Sequence, residues 1–305
     1  MAIFHVFPFT QLTFAWYRIV RSILKEVIRM VTLDDLFPIP KDISEQICPH
    51  RGRFESEDQE NTVNAIRDAV ELNPYFVEFD IQKYNGGFSS GHPPTMVTGD
   101  EGKFENILRV YVEHARHVQK NDQNFKRITF PKIDLKLNGK EDYQEVIDSL
   151  VPVLAHPEYE AIPFYLVNIG GVSGEIYTSA LSYFARRSGK LKQRVRLNVN
   201  LEQLGTSDEK MIGQAMTLLG DLIFSVSPEI HTADVGKDLL LFLRRHQIEQ
   251  LHFWLLGPPS DTNPRVYLNT LRYALAWGKF NNLAVYFDIN PRYIAGEAAA
   301  AKRAA

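Results

Sequence analysis

Short runs of β-branched and aromatic residues alternate with stretches of helical period along most of the chain. The runs predict eight strands, at residues 46–50, 76–82, 128–137, 164–169, 194–199, 222–226, 251–256 and 283–289. Apolar positions at three- and four-residue steps predict helices at residues 62–72, 104–118, 143–154, 175–187, 210–219, 237–246 and 266–277. This alternation predicts an α/β fold, a single (β/α)8 TIM barrel over residues 46–294. A doubly wound open sheet is the second choice, because no glycine fingerprint follows the first strand.

Residues 1–40 form a separate N-terminal extension. Residues 1–17 are apolar but interrupted by polar residues, shorter than the roughly 20 residues of a spanning helix, and without the basic start of a secretory signal. From Trp16 to Val31 apolar residues recur at helical spacing, and Arg18, Arg21, Lys25 and Arg29 occupy the other side. This predicts an amphipathic helix. Its pattern leaves two interpretations open: residues 1–31 lie on a membrane surface, or the helix packs across one end of the main domain.

Composition adds few constraints on function. The chain has 305 residues, of which 45% are hydrophobic and 23% charged, as in ordinary globular proteins. Its single cysteine, Cys48, excludes an intrachain disulfide, so we expect a cytoplasmic protein, with peripheral membrane attachment left open. The net charge of −3 gives no indication of a nucleic-acid partner, and we expect none. The alanine-rich residues 295–305 are expected to be a linker or a disordered tail.

Polar residues gather where the first three predicted strands end. His50 ends the first strand, Glu78 and Asp80 lie near the end of the second, and Asp134 and Lys136 near the end of the third. Residues two apart on a strand point to the same face, and catalytic groups of such barrels lie at the carboxyl ends of the strands. We therefore expect these side chains to share the barrel mouth.

Three converging carboxylates would repel one another unless a cation compensates them. Glu78, Asp80 and Asp134 lie inside apolar runs, where an inward charge needs a partner. A divalent ion that prefers oxygen ligands meets this need. We therefore predict one bound divalent cation, Mg²⁺ or Ca²⁺, acting as a Lewis acid.

Two histidines add proton transfer near neutral pH. His50 ends a strand, and a turn at Asn85-Gly86-Gly87 would bring His92 back over the mouth. Arg51 suits bidentate phosphate contact, and Lys136 offers a point charge to the same anion. The remaining histidines are interpreted as surface or structural residues: His114, His117, His156, His231, His246 and His252.

With these residues the chain resembles the glycerophosphodiester phosphodiesterase family, within the phosphatidylinositol-phospholipase-C-like phosphodiesterase superfamily. The resemblance rests on His50-Arg51-Gly52, Glu60-Asn61-Thr62, Glu78-Phe79-Asp80 and His92, with Trp254 and Asp288 late in the last two predicted strands. It implies that His50 and His92 are the acid/base pair and that Arg51 binds phosphate. It also implies that Glu78, Asp80 and Asp134 hold the cation, while Glu60, Lys136 and Trp254 line the substrate site.

Some positions depart from the family pattern. Gln59 replaces a usual proline, Pro93 a usual aspartate, and Asp134 a usual glutamate. His92 and Asp134 are 42 residues apart, too close for the usual insertion subdomain. The chain is similar to the sphingomyelinase D / phospholipase D toxin branch in Asp134, in the short stretch between His92 and Asp134, and in residues 103–106. That branch nevertheless lacks His-Arg-Gly and has disulfides.

The expected function is metal-dependent hydrolysis of glycerophosphodiesters or lysophospholipids by two histidines. A sphingomyelinase D-like phospholipase D that forms a cyclic phosphate is one alternative. A catalytically silent barrel that binds lipid or protein is the other.

Overall fold

The computed structural model describes residues 46–54, 56–120, 127–139, 142–191, 194–204, 223–227, 243–254 and 264–289, together with residues 219 and 241. The predicted N-terminal helix and the tail at residues 295–305 lie outside the described residues. So do most of the predicted helices 210–219 and 237–246.

The described residues form a mixed α/β fold around a nine-stranded, mostly parallel sheet. The strands are β1 (Ile47–Cys48), β2 (Phe76–Tyr84), β3 (Gly87–Ser90), β4 (Phe130–Lys136), β5 (Tyr165–Gly170), β6 (Val195–Asn200), β7 (Ile223–Ser227), β8 (Gln250–Trp254) and β9 (Ala284–Asp288). The described residues also include the α-helices α1 (Val63–Val70), α2 (Phe104–Gln119), α3 (Tyr143–Leu154), α4 (Gly174–Arg187) and α5 (Pro264–Phe280). All eight predicted strands are present, although β1 is shorter than expected.

The sheet curls back on itself, as in a TIM-like barrel. Its order is β1-β9-β8-β7-β6-β5-β4-β2-β3. A parallel bridge joins His50, just after β1, to Glu78 in β2, and the Glu78 amide donates to the Pro49 carbonyl at 3.0 Å. The first strand therefore contacts both β9 and β2. Only β3 pairs antiparallel among the described strands, forming a hairpin with β2.

The β2–β3 hairpin contains the turn that the sequence predicted. Asn85 and Gly86 connect the strands with φ of 48° and 81°, a left-handed backbone that asparagine and glycine adopt most readily. Strand β3 itself was not predicted, because four residues, Gly-Phe-Ser-Ser, carry too little alternation. The hairpin directs the chain that follows it towards the carboxyl end of the sheet.

The helices begin and pack as their sequences dictate. Thr62 caps α1 by accepting a hydrogen bond from the Ala65 amide, and Asp142 caps α3 by accepting from the Gln144 amide. Their apolar faces join the main core between the sheet and the helices. No helix among the described residues is long and apolar enough to cross a bilayer.

A second, smaller core fills the inside of the curled sheet near its amino end. It contains Cys48, Phe76 and Leu166, with Phe130, Phe164, Phe224 and Tyr286 packed against them. The Phe164 and Phe224 rings lie 4.9 Å apart, and the Phe76 and Tyr286 rings 5.4 Å. The interior is therefore packed rather than hollow at this end. Glu78 and Asp80 lie two and four residues beyond Phe76 on β2, above this aromatic floor.

Candidate active site

Three carboxylates meet at the carboxyl end of neighbouring strands. Asp80 in β2 and Asp134 in β4 are partners in the parallel register, and Glu78 lies two residues before Asp80. One ligand oxygen from each of the three lies within 4.8 Å of the other two. Glu78 and Asp80 are 3% and 0% exposed. The structure thus brings together the three acids that the sequence singled out.

The three acids differ in their electrostatic environment. Burial, Asp80 and Asp134 together raise the pKa of Glu78 well above its usual value. Burial acts to raise the pKa of Asp80 as well, but Lys136 and Arg51 outweigh it and lower that pKa to about 2. Asp80 is therefore firmly ionised, whereas the charge on Glu78 is poorly compensated.

Two cations hold the acidic group in place. Arg51 Nη1 donates to Glu60 Oε2 at 2.7 Å, and Arg51 Nε lies 2.9 Å from Asp80 Oδ2. The Lys136 Nζ lies 2.7 Å from Asp134 Oδ2 and 3.0 Å from Asp80 Oδ1. Counting Glu78, four carboxylates face two cations, so the cluster keeps two formal negative charges.

The first predicted acid/base residue, His50, lies beside Glu78. Its Nε2 is 3.5 Å from Glu78 Oε2, and its side chain is 34% exposed. Burial in the mouth and the neighbouring Arg51 lower the pKa of His50 to about 3. His50 is therefore a neutral imidazole at pH 7, which can accept a proton.

The second predicted histidine, His92, follows the β2–β3 hairpin at the same mouth. The Gly91 amide donates to the Asp80 carbonyl at 3.1 Å, which ties this segment to the end of β2. His92 is exposed, its Nδ1 lies 2.9 Å from the Pro93 carbonyl oxygen, and its charge is among those that lower the pKa of Asp80. Gly91 has φ 133°, and a Cβ added at this position would lie 2.7 Å from the Thr95 carbonyl oxygen. A larger residue would therefore displace this segment.

Asn61 positions Asp80, a role that the sequence analysis did not assign. The Asp80 amide donates to Asn61 Oδ1 at 2.8 Å, and Asn61 Nδ2 donates to Asp80 Oδ2 at 3.2 Å. The backbone N–H of Asn61 donates in turn to the backbone carbonyl of Arg51 at 3.0 Å. Its φ of 59° suits asparagine, which tolerates the left-handed region. Its place between Glu60 and Thr62 in the motif was the signal that could have revealed it.

We expect Asn61→Ala to destabilise the protein by about 2–4 kcal/mol, because it leaves the buried backbone amide of Asp80 unpaired and puts alanine in a left-handed backbone. Asn73→Ala is the matched control, since Asn73 has φ 57° but lies on an exposed turn. It should cost about 1–2 kcal/mol. Urea unfolding of both variants measures the difference. Equal losses would show that the hydrogen bonds to Asp80 contribute nothing.

Neutral polar side chains line the other half of the mouth. Asn168 in β5 is the register partner of Asp134. Beyond it, Asn198 Nδ2 donates to Ser227 Oγ at 2.6 Å, and Ser225 Oγ donates to Asn198 Oδ1 at 2.7 Å. The charged half of the mouth thus faces a half built from amides and hydroxyls, which can hydrogen-bond an uncharged polar group.

Trp254 and Glu60, the outer residues of the predicted site, lie at its rim. The Trp254 Nε1 donates to Glu202 Oε2 at 3.0 Å, across the mouth from the acids. Glu60 accepts from Arg51, so the guanidinium predicted to bind phosphate already contacts two carboxylates. Arg51 therefore organises the acidic group in addition to any contact with a substrate.

A buried ion pair lies at the level of Glu78, two residues before Asp134 on β4. Lys132 in β4 pairs with Asp288 in β9, and both are nearly inaccessible. Asp288, late in the last predicted strand, points into the sheet. His252, interpreted as surface or structural, is fully buried with its Nδ1 4.0 Å from Asp288 Oδ1 and its ring 4.9 Å from that of Tyr286. Burial and Lys132 lower the pKa of His252 well below its usual value, so it is neutral.

The acidic group fits a divalent cation. Asp80 Oδ1 and Asp134 Oδ1 are buried, and neither has a hydrogen-bond partner within the part of the chain that the structure describes, although Lys136 approaches the former as an ion pair. Oxygen donors and an excess of negative charge are what Mg²⁺ or Ca²⁺ sites require. Glu78, Asp80 and Asp134 could hold such an ion.

Comparison with known proteins gave a likeness in structure only. No family model matches the chain, and a search of curated proteins found no significant match. A solved structure of glycerophosphodiester phosphodiesterase from Thermotoga maritima matches with a TM-score of 0.44 and 13% sequence identity, over 81% of this chain and 95% of that one. The geometry of the site therefore carries the functional proposal.

Proposed function

We propose that this protein is a metal-dependent phosphodiesterase that hydrolyses glycerophosphodiesters or lysophospholipids, built on a complete (β/α)8 barrel. One observation carries the proposal: Glu78, Asp80 and Asp134 converge within 4.8 Å, with a neutral His50 beside them and His92 on the adjoining segment. Acids alone would suit many roles, but acids with two imidazoles and two cations suit an anionic diester.

In this proposal Glu78, Asp80 and Asp134 hold one Mg²⁺ or Ca²⁺. When bound, such a cation supplies Lewis-acid polarisation of the phosphate. Lys136 and Arg51 keep the carboxylates oriented, since each contacts two of the surrounding acids. Both cations also lie close enough to the acids to attract the phosphate anion.

The two histidines move the protons. His50, neutral at pH 7, accepts the proton of an attacking water or hydroxyl as the new bond to phosphorus forms. His92, exposed at the mouth, donates a proton to the leaving alcohol oxygen as the old P–O bond breaks. The neutral half of the mouth, around Asn168 and Asn198, contacts the uncharged polar part of the substrate.

A second candidate reaction is transfer to a hydroxyl of the substrate itself, which would give a cyclic phosphate. It is favoured by the short path from His92 to β4, in which α2 follows the hairpin after one turn of 3₁₀-helix. Within the described part of that path no further domain covers the mouth, so a lipid headgroup could enter. The attacking oxygen would then come from the substrate, and His50 would accept its proton.

The proposal is tested by phosphorus NMR of products from a panel of glycerophosphodiesters, lysophospholipids and sphingomyelin, each with Mg²⁺, Ca²⁺ or chelator. We expect a phosphomonoester to form only with a divalent cation. Formation of a cyclic phosphate would show that the second reaction takes place. Absence of turnover across the panel, with cation bound, would favour a silent lipid- or protein-binding barrel and contradict both.

Glu78→Gln removes a buried charge. It should therefore distinguish the stability lost by burying this charge from the contribution of Glu78 to cation binding. Because the pKa of Glu78 is raised above its unfolded value, the folded state holds the proton more tightly, and stability is lost as pH rises above the ordinary range of a glutamate. In chelator at pH 7 we therefore expect Glu78→Gln to be more stable than the native protein, with the gap closing towards pH 4.

Added cation should reverse that order. The native protein should gain about 2.7 kcal/mol at a concentration of one hundred times Kd, and the variant much less. Urea unfolding with and without Mg²⁺ measures both effects. Equal gains in the two proteins would remove Glu78 from the cation site.

A further inference from the structure

Residues 91–97, which contain the second predicted histidine, form a loop that leaves the β2–β3 hairpin and returns to it. At its start the Gly91 amide donates to the Asp80 carbonyl at 3.1 Å. At its end the Val97 amide donates to the Ser90 carbonyl at 2.9 Å. Both ends of the 91–97 loop are therefore tied to the hairpin.

The middle of this loop, where His92 lies, has little packing to hold it. Residues 92–95 are exposed, and no side chain of the loop belongs to either hydrophobic core of the described residues. The Thr95 amide donates to the His92 carbonyl at 2.8 Å, but this bond lies within the loop and attaches it to nothing else. Burial of the loop's own side chains therefore does not fix the position of the imidazole.

Gln82, in β2, attaches the middle of the loop to the sheet. Its Nε2 donates to the Gly91 carbonyl at 3.2 Å and to the Thr95 carbonyl at 3.2 Å. The two acceptors lie one residue before His92 and three residues after it. Within the part of the chain that the structure describes, the bond to Thr95 is the one hydrogen bond that joins residues 92–95 to a strand.

A glutamine suits this position for two reasons. Glu78, Asp80 and Gln82 are spaced by two along β2, so their side chains lie on the same face of the strand. A primary amide nitrogen has two N–H groups and can therefore donate to two carbonyls at once. A carboxylate of the same size has no donor and would repel both carbonyl oxygens.

We propose that Gln82 is a positioning residue that holds the 91–97 loop across its middle and so keeps the His92 imidazole at the mouth. This rests on the function proposed above, because Gln82 acts through the proton that His92 gives to the leaving alcohol. Gln82 transfers no proton itself, since a side-chain amide does not titrate near pH 7.

Gln82→Met removes both donors and keeps an unbranched side chain of similar length. We expect it to lower kcat for a glycerophosphodiester by about 10–100-fold, with KM within about threefold of native, because a displaced proton donor is felt mainly in the transition state. Gln82→Glu should lose as much at pH 7, because its carboxylate cannot donate.

Gln144→Met is the matched control. Gln144 is exposed in α3, and its Nε2 donates to the hydroxyl of the adjacent Tyr143 at 3.5 Å. Its kcat should stay within about twofold of native. Native kcat in Gln82→Met, or an equal loss in Gln144→Met, would overturn the proposal.

Two further measurements distinguish positioning of His92 from a general loss of structure. The double variant Gln82→Met/His92→Gln should turn over no more slowly than His92→Gln alone, because Gln82 acts through the imidazole. A p-nitrophenolate group leaves phosphorus without a donated proton, so Gln82→Met should act on a p-nitrophenyl glycerophosphodiester within about threefold of native. Additive losses in the double variant, or an undiminished loss on the p-nitrophenyl ester, would contradict the proposal.

Amide hydrogen exchange tests the same contacts without any turnover. In Gln82→Met the amides of residues 91–97 should exchange at least about fivefold faster than in the native chain, while those of α2 keep their native rates. Unchanged exchange in residues 91–97 would refute the proposal even if turnover falls. A native chain without turnover would defeat the proposed function, and exchange would then decide on its own whether Gln82 holds the loop.

Discussion

His50→Gln and His92→Gln should each lower turnover of a glycerophosphodiester by about 10²–10⁴-fold, because each removes one positioned proton-transfer group. Glutamine keeps the approximate size and the hydrogen-bonding capacity of the ring but cannot exchange a proton near pH 7. Neither variant should unfold, since His50 is partly open to solvent and His92 is exposed. The measurement is steady-state kcat and KM with saturating Mg²⁺, with the unfolding midpoint recorded in parallel.

His156→Gln is the matched control for this pair. His156 is also exposed, but it caps a 3₁₀ turn after α3, where its Nδ1 accepts from the Glu158 amide at 3.3 Å. We expect its kcat to be within about twofold of native, since surface changes away from a site have small effects. Native turnover in either His50→Gln or His92→Gln would remove that histidine from the reaction.

Lys132→Met should destabilise the protein by about 3–5 kcal/mol, because it leaves the Asp288 carboxylate buried without its cation. The Lys132–Asp288 pair is almost fully buried, and the nearby His252 is neutral, so Lys132 is the only cation that pairs with Asp288 among the described residues. Urea unfolding at pH 7 measures the loss.

The double variant Lys132→Met/Asp288→Leu distinguishes a lost ion pair from poor packing. Removing both charges takes away the unpaired carboxylate, so most of the lost stability should return. If the double variant is no more stable than Lys132→Met, the loss of stability comes from poor packing of the methionine side chain. If Lys132→Met alone is as stable as the native chain, the pair does not contribute.

Much of the fold was predictable because local patterns and the sheet agree. The run from Val77 to Ile81 alternates inward acids with outward apolar residues, and β2 buries it as that alternation requires. The tight capping of α1 and α3 likewise follows from Thr62 and Asp142. The hairpin strand β3 could not be predicted, since its pairing depends on β2 rather than on its own four residues.

The carboxylate group was predictable for a geometric reason. In parallel neighbouring strands, residues near the carboxyl ends lie side by side, so the spacing of Glu78, Asp80 and Asp134 was enough to place them together. The partner of Lys132 was not predictable, because it lies 156 residues away across the sheet. Spacing also cannot show that the Arg51 guanidinium contacts both Glu60 and Asp80.

The most direct test of the site is to soak crystals of the full chain in Mn²⁺ and to locate the ion by anomalous scattering. We predict one strong peak among Glu78, Asp80 and Asp134, with an oxygen of each at about 2.0–2.5 Å and the two imidazoles facing the same opening. A peak elsewhere would contradict the account. So would the absence of a peak at millimolar Mn²⁺, with Lys136 still seated between Asp80 and Asp134.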